Sequence, residues 1–181
     1  MTGPALRRLL HVASVAVVLA VPLGSGATLQ YVLAALAVVA VSFDTARIGA
    51  PAFKERLEKL LPVFRSAEAT RLSGATWLCV GYAVAALFPL PASVAGIAAG
   101  AVSDPAASWV GSLGAAVGRK TWWGSAAAWL AAAALLAPFG LGFPGVLGGA
   151  TVAAILERWP GPCDDNLLVA PGVALTVWLM A

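Results

Sequence analysis

Residues 27–47 read ATLQYVLAALAVVAVSFDTAR, an apolar run that meets its first charges at Asp44 and Arg47. A helix needs roughly 17–25 such residues to cross a bilayer, so this stretch reads as a membrane span ending at a polar boundary. Similar runs recur at about 9–23, 72–88, 92–103, 124–140, 142–156 and 166–181. Of the 181 residues 61% are hydrophobic and 10% charged. Soluble domains carry roughly 25% charged residues, and a mean hydropathy of +0.91 belongs in lipid. The expected fold is therefore all-α: a single integral membrane domain over 1–181, with about seven spans, several of them short for a bilayer.

The charges give this bundle a direction. The 11 basic and 8 acidic side chains fall into four blocks: Arg7 and Arg8; Asp44 to Arg71; Asp104 to Lys120; and Glu157 to Asp165. The connections near 22–28, 89–92 and 138–144 carry none. With seven spans every block lands on one side, and Lys and Arg favour cytoplasmic loops. This predicts a multi-pass protein of the cell membrane with its N-terminus and polar face cytoplasmic. A secretory signal, suggested by Arg7, Arg8 and the apolar stretch ending in LGSGA, is disfavoured because cleavage would leave a chain still embedded in the membrane. Asp44, Glu68, Asp104, Glu157, Asp164 and Asp165 all fall at or near expected helix ends, where ionisable groups are costly unless paired or facing water. They are either solvated loop charges or the parts of a site.

Residues 53–64, FKERLEKLLPVF, place Phe53, Leu57, Leu60, Leu61 and Phe64 at helical spacing, predicting an amphipathic helix over about 52–64. It lies in the membrane interface or docks on other protein. Arg8 and His11 are three residues apart and share a helix face, as do Asp44 and Arg47, and Arg65 and Glu68. The last two pairs read as ion pairs ordering helix ends. His11, the one histidine, reads by spacing alone as an interfacial hydrogen-bonding group. Cys79 and Cys163 have neither metal-ligand spacing nor a reason to pair.

Residues 104–125, DPAASWVGSLGAAVGRKTWWGS, raise the functional question. Gly96 and Gly100, and Gly114 and Gly118, have the four-residue spacing that lets membrane helices approach closely. Packing does not account for Asp104, Arg119 and Lys120. Phosphate groups are bound by backbone N–H donors from glycine-rich chain or a helix start, together with Arg or Lys. Gly118-Arg119-Lys120 followed by Gly124-Ser125 offers both, and Asp104 suits a magnesium ion bridging phosphate oxygens. No Walker-type loop is present, because GAAVGRKT has only three residues between its glycines. In ERWPGPCDDNLL, Asp164, Asp165 and Asn166 cap a helix start well; Glu157 is not needed for that, and together with them suits a metal-nucleotide site.

These elements resemble, nearly end to end, the polyprenol, dolichol and phytol kinases and the CTP-dependent diacylglycerol kinases, integral membrane enzymes that phosphorylate lipid alcohols. RRLLH at 7–11 is similar to the family's Arg-Lys-x-x-His element. Arg65, Glu68 and SGAT at 73–76 resemble its Arg-x-x-Glu and Thr/Ser-Gly-Ala-Thr span. Asp104, Ala107 and Gly111 keep its Asp-x-x-Ala-x-x-x-Gly spacing, KTWWGS resembles its Lys-Ser/Thr-x-Glu-Gly-Ser signature, and Glu157 with Asp165-Asn166 resembles its closing element. The chain departs from the family at Ser103, often glycine there, in the short link from Gly111 to Lys120, and at Trp123, which replaces a glutamate.

The resemblance implies transfer of a phosphoryl group from CTP to a polyprenol, a phytol-like alcohol or diacylglycerol, with Mg²⁺ as cofactor. Its partners are then a nucleoside triphosphate and a lipid alcohol, with no nucleic acid. Asp104, Lys120 and Asp165 are the expected catalytic groups, and Asp104, Glu157 and Asp165 the metal ligands. Gly111, Arg119, Gly124, Ser125 and Asn166 would hold the nucleotide, and Arg8, His11 and Glu68 would form a second polar cluster. Two alternatives stay open: a phosphatidate cytidylyltransferase-like enzyme making CDP-lipid, and a non-catalytic transporter or lipid-binding bundle.

Overall fold

The protein is described by a computed structural model covering residues 3–20, 26–60, 64, 68–113 and 120–180. The described residues are helical, with no strands: α1 (Gly3–Ala13), α2 (Val15–Ala20), α3 (Gly26–Gly49), α4 (Pro51–Leu60), α5 (Gly74–Ala85), α6 (Leu90–Gly111), α7 (Trp122–Leu136), α8 (Gly142–Arg158) and α9 (Asp165–Met180). A 3₁₀ turn, Ala137–Phe139, extends α7 and ends at Gly140 in the left-handed region (φ 69°), a conformation that glycine adopts without a side-chain clash. Gly26–Gly49 and the continuous Trp122–Phe139 are both long and apolar enough to cross a membrane.

Helix α6 is the centre of the bundle. Ala95, Ile97, Ala98, Ala99 and Ala101 are fully buried within it, and it packs on α7 and α9 most extensively, with α1, α2, α5 and α8 also against it. Small residues permit this. A Cβ on Gly96 would run into the Ala170 carbonyl oxygen of α9, and one on Gly100 would stand 3.2 Å from the Ala170 Cβ. The first GxxxG pair therefore brings two backbones together, as its spacing predicts. Gly81 does the same where α5 meets the start of α9, its missing Cβ leaving room for the Asn166 carbonyl at 2.5 Å. Two apolar clusters fill the rest: Leu136, Ala153 and Val173 between α7, α8 and α9, and Leu33, Tyr82 and Ile97 between α3, α5 and α6. The outward faces are apolar too, with Tyr31, Val38, Val39, Leu130, Phe143 and Leu179 exposed.

Several expected boundaries need correction. The run at 9–23 is not one helix: α1 and α2 are separated at Ser14, whose hydroxyl donates to the His11 carbonyl at 2.5 Å and meets Tyr82 Oη at 2.7 Å. A hydroxyl bonding back to its own chain competes with the helical ladder and bends it. Helix α6 runs to Gly111, so Asp104 lies inside a helix and not at its end. Pro105, which biases the preceding residue away from helix, is accommodated within it. The amphipathic helix spans Pro51–Leu60; Leu61–Val63 of the expected range lie outside the described residues. It docks on its own chain, with Phe53 edge-on to Phe43 (centroids 5.7 Å apart) and Lys54 Nζ donating to the Ala69 carbonyl at 2.9 Å.

The close approach of α6 and α9 sets the first test. Gly96→Ala forces the two backbones apart and should lower stability by about 1–3 kcal/mol, the usual cost of overpacking. Gly49→Ala, where a Cβ meets nothing within 4 Å, should be neutral or slightly stabilising. Thermal unfolding of both variants in detergent measures the difference.

Candidate functional site

The C-terminal parts of α3, α6 and α8 meet the N-terminal ends of α5, α7 and α9, and the last turn of α1 joins them through His11. The charged side chains collect there. Asp104 of α6, Glu157 of α8 and Asp165 of α9 each bring a carboxylate oxygen within 4.8 Å of the others. Lys120, just ahead of α7, places its Nζ 3.0 Å from Glu157 Oε1 and 2.6 Å from Asp165 Oδ2, and also donates to the Glu157 carbonyl. Residues 53 positions apart, from Asp104 to Glu157, thus share one small volume.

Three carboxylates against one ammonium leave two negative charges in excess within the cluster. That excess and the hard oxygen donors suit a divalent cation such as Mg²⁺. Burial by itself would pull the Lys120 amine down, but the Asp165 and Glu157 carboxylates outweigh it and hold the amine above its ordinary 10.5. Lys120 is therefore charged throughout the physiological range. At the entry to α9, burial pushes the Asp164 carboxyl up; hydrogen bonds from Asn166 oppose the rise and neighbouring Asp165 adds to it.

A hydrogen-bonded chain connects this cluster to α1. Asp164 Oδ1 accepts from the Asn166 backbone N–H at 3.1 Å and from Asn166 Nδ2 at 2.7 Å, the capping role its sequence suggested. Asn166 Oδ1 lies 2.6 Å from His11 Nε2, and the same nitrogen is 3.8 Å from Asp104 Oδ2. Arg8, one turn earlier, donates from Nε to Ser108 Oγ at 3.0 Å and from Nη2 to the Ser108 carbonyl at 3.3 Å. Of the expected second cluster of Arg8, His11 and Glu68, His11 and Glu68 border one small pocket, and each of the three also has contacts elsewhere. His11 joins the carboxylate site, Arg8 clasps α6, and Glu68 Oε1 accepts the Gly74 N–H at 3.1 Å, at the start of α5.

The glycines of the expected nucleotide cradle have packing contacts. A Cβ on Gly124 would stand 2.8 Å from the Ala107 carbonyl oxygen, so this glycine lets α7 lie against α6. A Cβ on Gly111 would meet Thr121 Oγ1 at 3.2 Å. Thr121 caps α7, its hydroxyl accepting the Gly124 N–H at 3.0 Å, and Ser125 Oγ donates to the Thr121 carbonyl at 3.2 Å. Arg119, with Gly114 and Gly118, lies outside the described residues. Trp123, in the position where the resembled family has glutamate, is exposed.

Two arrangements were not legible beforehand. The Arg158 guanidinium lies 3.9 Å above the Trp122 ring and 5.0 Å from that of Trp159, with Nη1 donating to Ser125 Oγ at 3.3 Å. The WW and RW pairs signalled aromatic density, but nothing in the order of residues placed Arg158 between them. The second concerns Asp44 and Arg47. They pair as expected, Arg47 Nε donating to Asp44 Oδ1 at 2.6 Å, yet the pair is buried and organises much more of the chain. Asp44 Oδ2 accepts from the Ser73 N–H at 2.5 Å and Thr76 Oγ1 at 2.8 Å, and Arg47 Nη2 donates to the carbonyls of Glu68 and Arg71 at 3.0 and 2.8 Å. It fastens the end of α3 to the start of α5.

Comparison with known proteins finds no matching family model, curated protein or solved structure.

Lys120 supplies a test of the electrostatics. Its raised pKa means the folded state holds this proton more tightly than the unfolded state. The resulting stabilisation is fully present below pH 10.5 and lost as pH rises through the higher folded-state value. Wild type should thus show an alkaline loss of stability that Lys120→Met lacks. Near pH 7 the same variant should be less stable than wild type, with millimolar Mg²⁺ recovering more of the loss than it adds to wild type. Unfolding midpoints across pH and Mg²⁺ concentration measure both effects.

Proposed function

We propose that this chain is a multi-pass membrane enzyme that transfers the terminal phosphoryl group of CTP to the hydroxyl of a lipid alcohol at the cytoplasmic face. The observation that carries the reading is the convergence of Asp104, Glu157 and Asp165 on Lys120 at one end of an apolar bundle. Phosphoryl transfer depends mainly on positioning and charge neutralisation, and this site concentrates the residue types for both. CTP as donor, and a polyprenol, phytol-like alcohol or diacylglycerol as acceptor, rest on the family resemblance.

The membrane arrangement follows from the same polarity. The helix ends at the charged side carry Trp109, Trp122, Trp123 and Trp159, all exposed, as in the aromatic belt of a membrane interface. Helices α3 and α7 cross the bilayer; α1 with α2, and α5, α6, α8 and α9, complete seven crossings with the polar face cytoplasmic. At 1.5 Å per residue the 12 residues of α5 span only about 18 Å, so the bundle is thin and its polar end is sunk toward the hydrocarbon. A lipid hydroxyl reaches such a site without leaving the membrane.

Asp104, Glu157 and Asp165 would hold Mg²⁺, which neutralises charge on the phosphate oxygens when bound. Lys120 is the flexible cation of the site. Its ammonium, shared between Glu157 and Asp165, turns to a phosphate oxygen when those carboxylates are otherwise engaged. Ser125 and the backbone at the start of α7 lie beside it, and Arg158 is held rigidly by two indoles at the same helix start. Asn166 and Asp164 orient the α9 end of the site.

The test is a panel of nucleotides crossed with a panel of lipid alcohols on purified protein, with products identified by mass. CDP and a lipid phosphate are expected. Pyrophosphate and a CDP-lipid from phosphatidate would assign the cytidylyltransferase chemistry in its place. Asp104→Asn and Lys120→Ala should each lower kcat by about 10²–10³, the usual loss when one transition-state charge contact is removed. Full activity in both variants would sink the proposal.

A further inference from the structure

Arg158 ends α8 beside the start of α7, and three consecutive residues define its place. Glu157, only 4% exposed, belongs to the carboxylate cluster; Arg158 is half-buried; Trp159 is 57% exposed. The chain thus passes from the polar site to the outer surface of the bundle within two residues. There the guanidinium lies 3.9 Å from the centre of the Trp122 ring and 5.0 Å from that of Trp159, and the two indoles meet edge-on with centroids 5.5 Å apart. Trp122 is also exposed, so the arrangement is open to the outside.

Arg158 is short of partners. Nη1 donates to Ser125 Oγ at 3.3 Å, whereas Nε is enclosed without a hydrogen-bond partner. Among the described residues no carboxylate pairs with the guanidinium: Glu157 and Asp165 are engaged by Lys120, Asp164 by Asn166 and Asp44 by Arg47. The stretch just ahead of Lys120, GAAVGR at 114–119, contains no acid. Helix dipoles do not fill the gap, because the end of α8 supplies roughly half a negative charge and the start of α7 roughly half a positive one. A whole positive charge is left at the rim of an apolar bundle, where ionisable groups are costly unless paired or facing water.

The surroundings select the counter-ion. A guanidinium stacks its faces on aromatic rings while its N–H donors lie in its plane, the geometry that meets phosphate oxygens. Exposed indoles belong at the headgroup level of a bilayer, and Trp122, Trp123 and Trp159 are all exposed here. An ammonium-bearing headgroup also suits an indole face, but the charge on Arg158 repels it. A headgroup with net negative charge is therefore favoured over a zwitterionic one. Below the charge, Trp129 lies seven residues after Trp122 on the same face of α7 and donates to Thr151 of α8 at 3.1 Å. Exposed Ile155 stands one turn before Arg158, so the seam between α7 and α8 continues as an apolar surface.

We propose that Arg158, framed by Trp122 and Trp159, binds the phosphate headgroup of an anionic phospholipid, whose acyl chains lie along the α7–α8 seam past Trp129 and Ile155. Such a site goes beyond the kinase reading and does not rest on it; it requires only that the charged end of the bundle lie at a membrane interface.

Native mass spectrometry of the detergent-solubilised full chain, given equal amounts of phosphatidylglycerol and phosphatidylcholine with the same acyl chains, tests the selectivity. Phosphatidylglycerol should be retained in preference, and Arg158→Gln should weaken its binding about tenfold, the worth of one charge-assisted hydrogen bond. Arg56→Gln, which removes an exposed cation from α4, should leave it unchanged. Equal retention of the two lipids, or equal loss in both variants, overturns the proposal. Wild-type protein supplies an arm that needs no variant. Phosphatidylglycerol carrying a diazirine in its headgroup should label the start of α7 and the end of α8, and millimolar inorganic phosphate should leave that label in place. Label mapping elsewhere overturns the proposal, and so does displacement by phosphate, which would give the site to a soluble anion. The nucleotide and lipid-alcohol panel judges the kinase reading separately, so either can fail while the other stands.

Discussion

The close approach of α6 to α9 is the constraint on which the rest depends. Gly96 and Gly100 let the two backbones meet at Ala170, and Gly81 lets α5 close on the start of α9. Distances along these contacts fix where Asp104 stands relative to Asp165 and Asn166. A bulkier pair would push the carboxylates apart and detach His11 from Asn166. Small residues in the apolar part of the bundle therefore control the electrostatics at its end, through geometry that the rigid helices transmit.

Given that packing, the polar end divides into two networks of different character. The Asp44–Arg47 pair is fully buried, and four hydrogen bonds to the chain between Glu68 and Thr76 engage Asp44 Oδ2 and Arg47 Nη2, leaving Arg47 Nη1 without a hydrogen-bond partner among the described residues. Removing one partner of such a pair typically costs about 3–5 kcal/mol, because the other is left charged in a dry site. The Asp104, Glu157 and Asp165 cluster, by contrast, has more negative charge than Lys120 balances. One network balances its charges and holds α3 to α5. The other is incomplete, and an excess of like charge held in place by helices is costly unless a ligand completes it.

Much of this was legible in the chain. Apolar runs located the helices to within a few residues, because burial in lipid or protein selects the same side chains. The parity of those runs put the charged blocks on one face, and the structure brings Asp104, Lys120, Glu157 and Asp165 together at one end. The misreadings have local causes. Asp104 was expected at or near a helix end, yet α6, packed on α7 and α9, continues through Pro105 to Gly111. Ser14 gave no sign of dividing the first run, since its effect depends on meeting Tyr82, 68 residues away. Gly124 has a helix contact with Ala107 that the letter alone does not announce, since a glycine beside a ligand and one at a helix contact are written the same way.

The sequence by itself determined the helical class, the apolar surface and the segregation of charge, since these follow from composition and the spacing of residues along one chain. Only the tertiary structure decided which charges meet and in what state. His11 read as a lone interfacial histidine until Asn166, 155 positions later, was placed against its Nε2. Arg158 is one basic residue among eleven in the sequence, and only the fold sets its guanidinium over Trp122 and beside Trp159. The physical reason is the same in both cases. A side chain's tautomer, orientation and available atoms depend on neighbours a few ångströms away, and folding brings those neighbours from anywhere in the chain.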